Sequence, residues 1–266
     1  MTSSADISGK IIVIKIGGST LGEGDSTVPD VIELWQRGAL PVVVHGGGKV
    51  ISQWVAKQGI QPVFVRGLRK TDRETLDVAI AVLAGLVNSE LVAEFCALGA
   101  NAIGLSGVSG GMLKAEVMDP ELGYVGKIVD SDPTPIQTIL DAGAIPVIAP
   151  TALLADASPD NPNRILNINA DTSAGHIARA LSADRLVFQT DVPGVLDATR
   201  RLIPRMTKRQ AYDLITSGIA GGGMIPKIEA CADALETVRS GHIIDGRQAG
   251  ALLACCNGED VGTRIT

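Results

Sequence analysis

The 266-residue chain predicts an α/β protein in which a mostly parallel sheet is covered by helices on both faces. Apolar, β-branched runs alternate with segments of helical pattern along its length. Aromatic residues make up only 3% against 45% hydrophobic, so the core has to be built from Val, Ile, Leu and Ala, as in sheets buried on both sides. Glycine-rich loops follow the first two apolar runs, at the strand ends where open α/β sheets hold ligands.

Ile11–Ile16, Val42–Val44, Ala102–Leu105 and Ile145–Ile148 read as the buried strands of a first half. Helices are expected near Val28–Arg37, Lys49–Gln58, Asp72–Leu98 and Thr134–Ala142, with Thr71 to Glu74 fitting a capping box that opens the third. Gly107–Lys127 is rich in glycine and short β-type pieces and predicts a hairpin of Met112–Glu116 with Tyr124–Ile128, able to cover a substrate pocket. Asp156–Arg164, DASPDNPNR, is the strongest turn cluster and marks a surface excursion near the boundary between two lobes. A helix at Ala170–Leu181, a strand at Arg185–Gln189 and helices near Lys208–Thr216 and Pro226–Arg239 follow, then strands at His242–Ile244 and Gly262–Ile265.

A net charge of −6 and a pI near 5.1 argue against a general nucleic-acid or anionic-membrane surface. No apolar run reaches the roughly 20 residues of a membrane span, and MTSSADISGK lacks the basic start and apolar stretch of a signal peptide. The four cysteines, Cys96, Cys231, Cys255 and Cys256, form no CxxC pair and read as reduced thiols. The expectation is a cytoplasmic, enzyme-sized protein.

The stretch VVVHGGGKV looks like a phosphate loop, yet the P-loop motif needs a glycine and a Ser/Thr where Val43 and Val50 stand. Phosphate is expected to be held by separated pieces instead. Lys15 ends the first strand, and a buried lysine is costly unless its ammonium reaches a cleft or a partner. Gly17 and Gly18 after it, and Gly46, Gly47 and Gly48 after the second strand, let backbone amides approach a ligand. In Gly218–Lys227, GIAGGGMIPK, three glycines precede Pro226 at an expected first helical position, with Lys227 in the first turn. That placement suits an anion held by both the amides and the lysine. Asn167, Asn169 and Asp171 alternate after apolar Ile165-Leu166 and share one face if the segment is extended, although Asn169 or Asp171 alone could cap the next helix. Arg69 has the planar fork that suits a carboxylate, with a solvated arginine as the equal alternative.

KIGGS, HGGG, GLRKTD, GLVN, GANAIGLSG, IPVIAP, NINADT, TDVPGV, GGGMIPK and HIIDGR, in this order, resemble the amino acid kinase family over almost the whole chain. The nearest branch of that family phosphorylates the side-chain carboxylate of N-acetyl-L-glutamate. The resemblance implies an open αβα sandwich, with a lobe of about residues 1–155 for the acyl amino acid and one of about 156–266 for ATP. It implies MgATP as phosphoryl donor, with Mg²⁺ carried by the nucleotide and no protein metal ligand assigned. Lys15 and Lys227 resemble the lysines that stabilise the transferring phosphoryl group, and Asp171 the aspartate that holds them in place. Gly17, Gly18, Gly47 and Gly48 would supply amides to phosphoryl oxygens; Gly47, Gly48, Arg69, Asn167 and Asn169 would bind the substrate. Thr190, Asp191, Gly223 and Met224 would lie around the nucleotide.

About ten residues precede the first strand, whereas arginine-inhibited hexameric members share a longer N-terminal helix, so a homodimer is expected. Lys70 and Lys127 depart from the usual family residues near the substrate end. A kinase for a carrier-protein-linked glutamate or aminoadipate is the alternative enzyme. A non-catalytic nucleotide- or arginine-binding regulator is the alternative outside enzymes. A PII-type signalling protein stays open as a surface partner.

Overall fold

The computed structural model describes residues 6–17, 26–159 and 163–266. In chain order the elements are β1 (Ile11–Ile16), α1 (Thr27–Gln36), β2 (Leu40–His45), α2 (Gly48–Lys57), β3 (Phe64–Val65), β4 (Leu68–Arg69) and α3 (Arg73–Ile80). A π-helical segment, Ala81–Val87, joins α3 to α4 (Asn88–Ala97), followed by β5 (Ala102–Ser106), β6 (Leu113–Val117), β7 (Gly126–Ser131), α5 (Thr134–Asp141), β8 (Ile145–Ala149), β9 (Thr151–Leu154) and β10 (Ile165–Asn167). The remainder is α6 (Ala170–Ala180), β11 (Arg185–Thr190), β12 (Arg205–Met206), α7 (Lys208–Thr216), α8 (Met224–Ala234), β13 (Ser240–Asp245), α9 (Ala251–Asn257) and β14 (Thr263–Ile265).

Contacts group the chain into two units, residues 1–43 with 174–266 and residues 44–173. In the first unit the strands run β12-β14-β13-β11-β1-β2. β1 and β13 both pair with β11 in parallel, β14 runs antiparallel to β13, and β12 pairs with β14 in parallel. Ile12, Ile14, Leu186, Phe188 and Ile243 are fully buried in this sheet, so the continuous apolar runs mark strands covered on both faces.

In the second unit β5 and β8 pair in parallel, and β10-β9-β6-β7 form a separate four-stranded sheet. β6 and β7 are the expected hairpin, displaced by one to three residues, with Glu116 opposite Lys127. Arg73–Ala97 is a continuous 25-residue helical stretch with a mean hydropathy of 1.8 in its most apolar window. It therefore meets the length and composition of a membrane span, contrary to the sequence expectation. Its Leu76, Leu83, Leu91 and Phe95 are buried, and α4 packs on β5 and β8 as a core helix of the unit.

Three local expectations are corrected. The cap of α3 is Asp72, whose carboxylate accepts from Thr75 N at 2.8 Å, because the Thr71 hydroxyl is buried and donates to Arg69 O at 2.9 Å. The extended segment ends at Asn167, since Asn169 Oδ1 accepts from the amides of Asp171 (2.8 Å) and Thr172 (3.1 Å) and turns the chain into α6. Helix α8 starts at Met224, so Pro226 is its third residue instead of its first. The short strands β3, β4, β9, β10 and β12 and the seven-residue α9 were not anticipated.

Candidate functional site

Lys15, Gly17, Thr190, Asp191, Gly223, Met224 and Lys227 belong to the first unit; Gly47, Gly48, Arg69, Asn167, Asn169 and Asp171 belong to the second. Gly18 lies outside the described residues.

In the second unit, β2 ends at His45 and α2 begins at Gly48, with Gly47 at its N-cap. Among the described residues no side chain caps this helix, which suits its first-turn amides to a ligand. A Cβ on Gly47 would lie 2.6 Å from Leu83 Cδ2, so the π-helical segment closes tightly over this glycine. Arg69 is drawn to the same loop: its Nη2 donates to Gly48 O and to Ser52 Oγ, both at 2.8 Å. Its guanidinium lies 4.7 Å from the centre of the Phe64 ring. The residue is 8% exposed, so the solvated alternative is rejected, and burial lowers its pKa below the ordinary arginine value. Nη1 is buried and meets no hydrogen-bond acceptor among the described residues. An oriented arginine whose Nη1 still has donors to offer can take a carboxylate.

Thr71 links Arg69 to Asn167. Its hydroxyl donates to Arg69 O and accepts from Asn167 Nδ2 at 3.2 Å, while Asn167 N donates to Tyr124 O at 2.9 Å. The two expected substrate residues thus converge although 96 positions separate Asn167 from Thr71. Asn169 serves as a helix cap, and Asp171 is a buried acid in the first turn of α6, where the helix dipole favours its charge.

In the first unit Lys15 is buried on β1 opposite Phe188. Thr190 ends β11 in register with Asp245 at the end of β13. Arg247 clasps Asp245 through Nε (2.9 Å) and Nη2 (2.8 Å), holding that carboxyl below its ordinary pKa of 3.8. The sequence reading gave neither residue a role, though both stand in HIIDGR. Gly221, Gly222 and Gly223 are exposed, and a Cβ on any of them would meet nothing within 4 Å, so packing does not demand these glycines. The amides of Met224 and Ile225 reach Gly221 O (3.2 Å) and Gly222 O (3.3 Å). Lys227 is half-buried in the first turn of α8, its Nζ 3.3 Å from Gly223 O.

The amino acid kinase family profile matches residues 10–245. Acetylglutamate kinase of Dehalococcoides mccartyi (strain BAV1) is 42% identical over 266 residues, covering 100% of this chain and 97% of its own length. Acetylglutamate kinase of Caldanaerobacter subterraneus subsp. tengcongensis is 43% identical over 268 residues, covering 97% and 88%. Among solved structures, N-acetylglutamate synthase from Neisseria gonorrhoeae, complexed with coenzyme A and N-acetyl-glutamate, aligns with a TM-score of 0.83 at 27% identity. That alignment covers 98% of this chain but only 60% of the synthase. The fold is the expected α/β sandwich with a mostly parallel central sheet, and the chain belongs to the amino acid kinase family.

Proposed function

We propose that the chain transfers the γ-phosphoryl group of ATP to the side-chain carboxylate of N-acetyl-L-glutamate, giving N-acetyl-L-glutamyl 5-phosphate, a step of arginine biosynthesis. The observation that carries this reading is Arg69: its Nη1 is buried with no acceptor among the described residues and it is joined through Thr71 to Asn167, in a chain 42% identical to an acetylglutamate kinase throughout. That pair offers a charged fork and an amide to an acylated amino acid, the arginine taking the α-carboxylate.

The chemistry asks little of a general base. A glutamate-type carboxylate has a pKa of about 4.3 and is ionised at neutral pH. Its approach to a polyanion is opposed by repulsion, and the protein has to supply positive charge and positioned amides. We assign Lys15 and Lys227 to the equatorial oxygens of the transferring group, Asp171 to holding those lysines, and the amides of Gly17, Gly18, Gly47 and Gly48 to phosphoryl oxygens. Thr190, Asp191, Gly223 and Met224 are assigned to the nucleotide, with about residues 1–155 forming the acyl-substrate lobe and about 156–266 the ATP lobe. The open space over Gly221–Gly223 suits such a ligand. Mg²⁺, which would neutralise phosphate charge, is assigned to the nucleotide's own oxygens.

A homodimer is part of the proposal. β5 stands last in its sheet, and its Ile103 (39%) and neighbouring Leu98 (52%) are exposed, a free edge that a second copy would cover. Cys96, Cys255 and Cys256 are reduced thiols, as suits a cytoplasmic enzyme.

The test is to trap acyl phosphate as a hydroxamate with MgATP and N-acetyl-L-glutamate, running free glutamate, aspartate and aminoadipate in parallel. Signal with N-acetyl-L-glutamate alone supports the reading. Silence with all four, despite ATP binding, rejects it in favour of a carrier-linked substrate or a regulator.

A further inference from the structure

His45 is fully buried at the end of β2, next to the glycine loop assigned to phosphoryl oxygens. Its Nδ1 lies 2.8 Å from Gly46 O. A carbonyl oxygen only accepts, so Nδ1 carries the proton and Nε2 is bare. Nε2 lies 3.1 Å from Asn88 Nδ2, which therefore donates to it. The orientation of Asn88 is fixed in turn, because the same nitrogen faces Val147 O on β8 (2.9 Å) and Leu105 O on β5 (3.3 Å), both acceptors. Its Oδ1 fills the space above Gly104, where a Cβ would lie 2.1 Å away. Burial pushes the His45 ring down to about 4, so the ring is neutral across the physiological range.

The consequence lies one peptide further on. In a planar trans peptide the C=O of Gly46 and the N–H of Gly47 point in opposite directions. Holding the Gly46 oxygen toward His45 therefore sends the Gly47 N–H to the other side of the loop. A Cβ on Gly47 would crowd Leu83 Cδ2, so a side chain there would force Leu83 to shift.

We propose that His45 and Asn88 are positioning residues for phosphoryl transfer: carbonyls of β5 and β8 orient Asn88, Asn88 fixes the tautomer of His45, and His45 aims the Gly47 N–H at the transferring group. This deepens the kinase reading and rests on it. The relay touches no substrate; it sets the direction of one donor, and a donor that is misaligned costs more in the transition state than in the ground state.

The experiment combines a spectrum with kinetics. In ¹⁵N-histidine-labelled wild-type protein at pH 7, the resonance that disappears in His45→Asn is expected to show a protonated Nδ1 and a bare Nε2. An Nε2–H tautomer or an imidazolium overturns the proposal, and this readout needs no active variant. In the hydroxamate assay, His45→Leu and Asn88→Ala are expected to lower kcat by about 10–100-fold while both KM values stay within about threefold. His45→Asn keeps an amide donor near the Nδ1 position and is expected to restore most of kcat. Unchanged kcat in a folded His45→Leu, or an equal loss in His45→Asn, means that the histidine merely satisfies the core. Wild-type protein without phosphoryl transfer instead rejects the kinase reading itself, so the two failures are distinguishable.

Discussion

Arg69 offers the clearest route from geometry to magnitude. Its Nη2 is committed to Gly48 O and Ser52 Oγ, and Phe64 stacks on the guanidinium, so the plane is fixed before any ligand arrives. Nη1 is buried and has no acceptor among the described residues, so its donors are left for a ligand. One charge-assisted hydrogen bond contributes about 1.5–3 kcal/mol, which is roughly a 10–100-fold change in affinity. Arg69→Ala is therefore expected to raise KM for N-acetyl-L-glutamate by about 10–100-fold, with kcat within about threefold and KM for ATP unchanged. The fold should tolerate the change, because Gly48 O keeps its bond from Ser52 Oγ at 3.0 Å. Arg69→Lys keeps the charge but loses the fork and should fall in between. Phe64 is itself 55% exposed, so Phe64→Leu should lose only the lower end of a cation–π contact, about 0.5–1 kcal/mol, and raise the same KM two- to fivefold. The assay is initial-rate hydroxamate formation over a range of acyl substrate. A KM that stays within about twofold in Arg69→Ala, or a loss confined to kcat, would refute this reasoning.

Lys15→Ala and Asp171→Ala should lower kcat far more than they raise either KM, since their assigned contacts form with the transition state; steady-state kinetics showing the reverse would reassign both. Glycine substitutions should separate by what a Cβ meets. Gly107→Ala would put that atom 1.9 Å from the backbone oxygen of Thr151 and is expected to cost about 3 kcal/mol in urea unfolding. Gly85→Ala meets nothing within 4 Å inside a helix and should stabilise by about 0.5–1 kcal/mol. Stability should also fall on mild acidification. Burial lowers His45 to about 4 and His242 to about 3 from an ordinary 6.5. Between those values and 6.5 the unfolded chain binds the proton and the folded one does not. The contribution is therefore complete above 6.5 and is lost as pH falls toward the folded values. From pH 7 to pH 5 each histidine should remove about 2 kcal/mol, read from urea midpoints, and His242→Asn should flatten the slope.

The strands that carry the site were legible because burial on both faces writes itself as an unbroken apolar run, as in Ile11–Ile16 and Arg185–Thr190. Helices Gly48–Lys57 and Lys208–Thr216 were legible from their periodicity. What stayed hidden depends on partners remote in the chain. β3, β4 and β12 are two residues long and exist only through their pairings, and β9 and β10 close a sheet with the hairpin. The same holds at the site. Arg69 and Asn167 were visible as residue types, but the Thr71 hydroxyl that joins them looked like a helix cap. His45 and Asn88 stand 43 positions apart and meet only after β2 and the Arg73–Ala97 helix have packed. Asp245 and Arg247 lay in plain view in a motif, yet their ion pair is set by the turn after β13.

The central claim is that a substrate carboxylate oxygen attacks the γ-phosphorus of ATP. N-acetyl-L-glutamate labelled with ¹⁸O in both side-chain carboxylate oxygens, incubated with MgATP, enzyme and hydroxylamine, tests it directly. Hydroxylamine cleaves the acyl phosphate at carbon, so the bridging oxygen leaves with phosphorus. The account predicts that ³¹P NMR shows inorganic phosphate carrying one ¹⁸O, formed in step with hydroxamate. Unlabelled phosphate released from ATP without hydroxamate would mean attack by water and would contradict it.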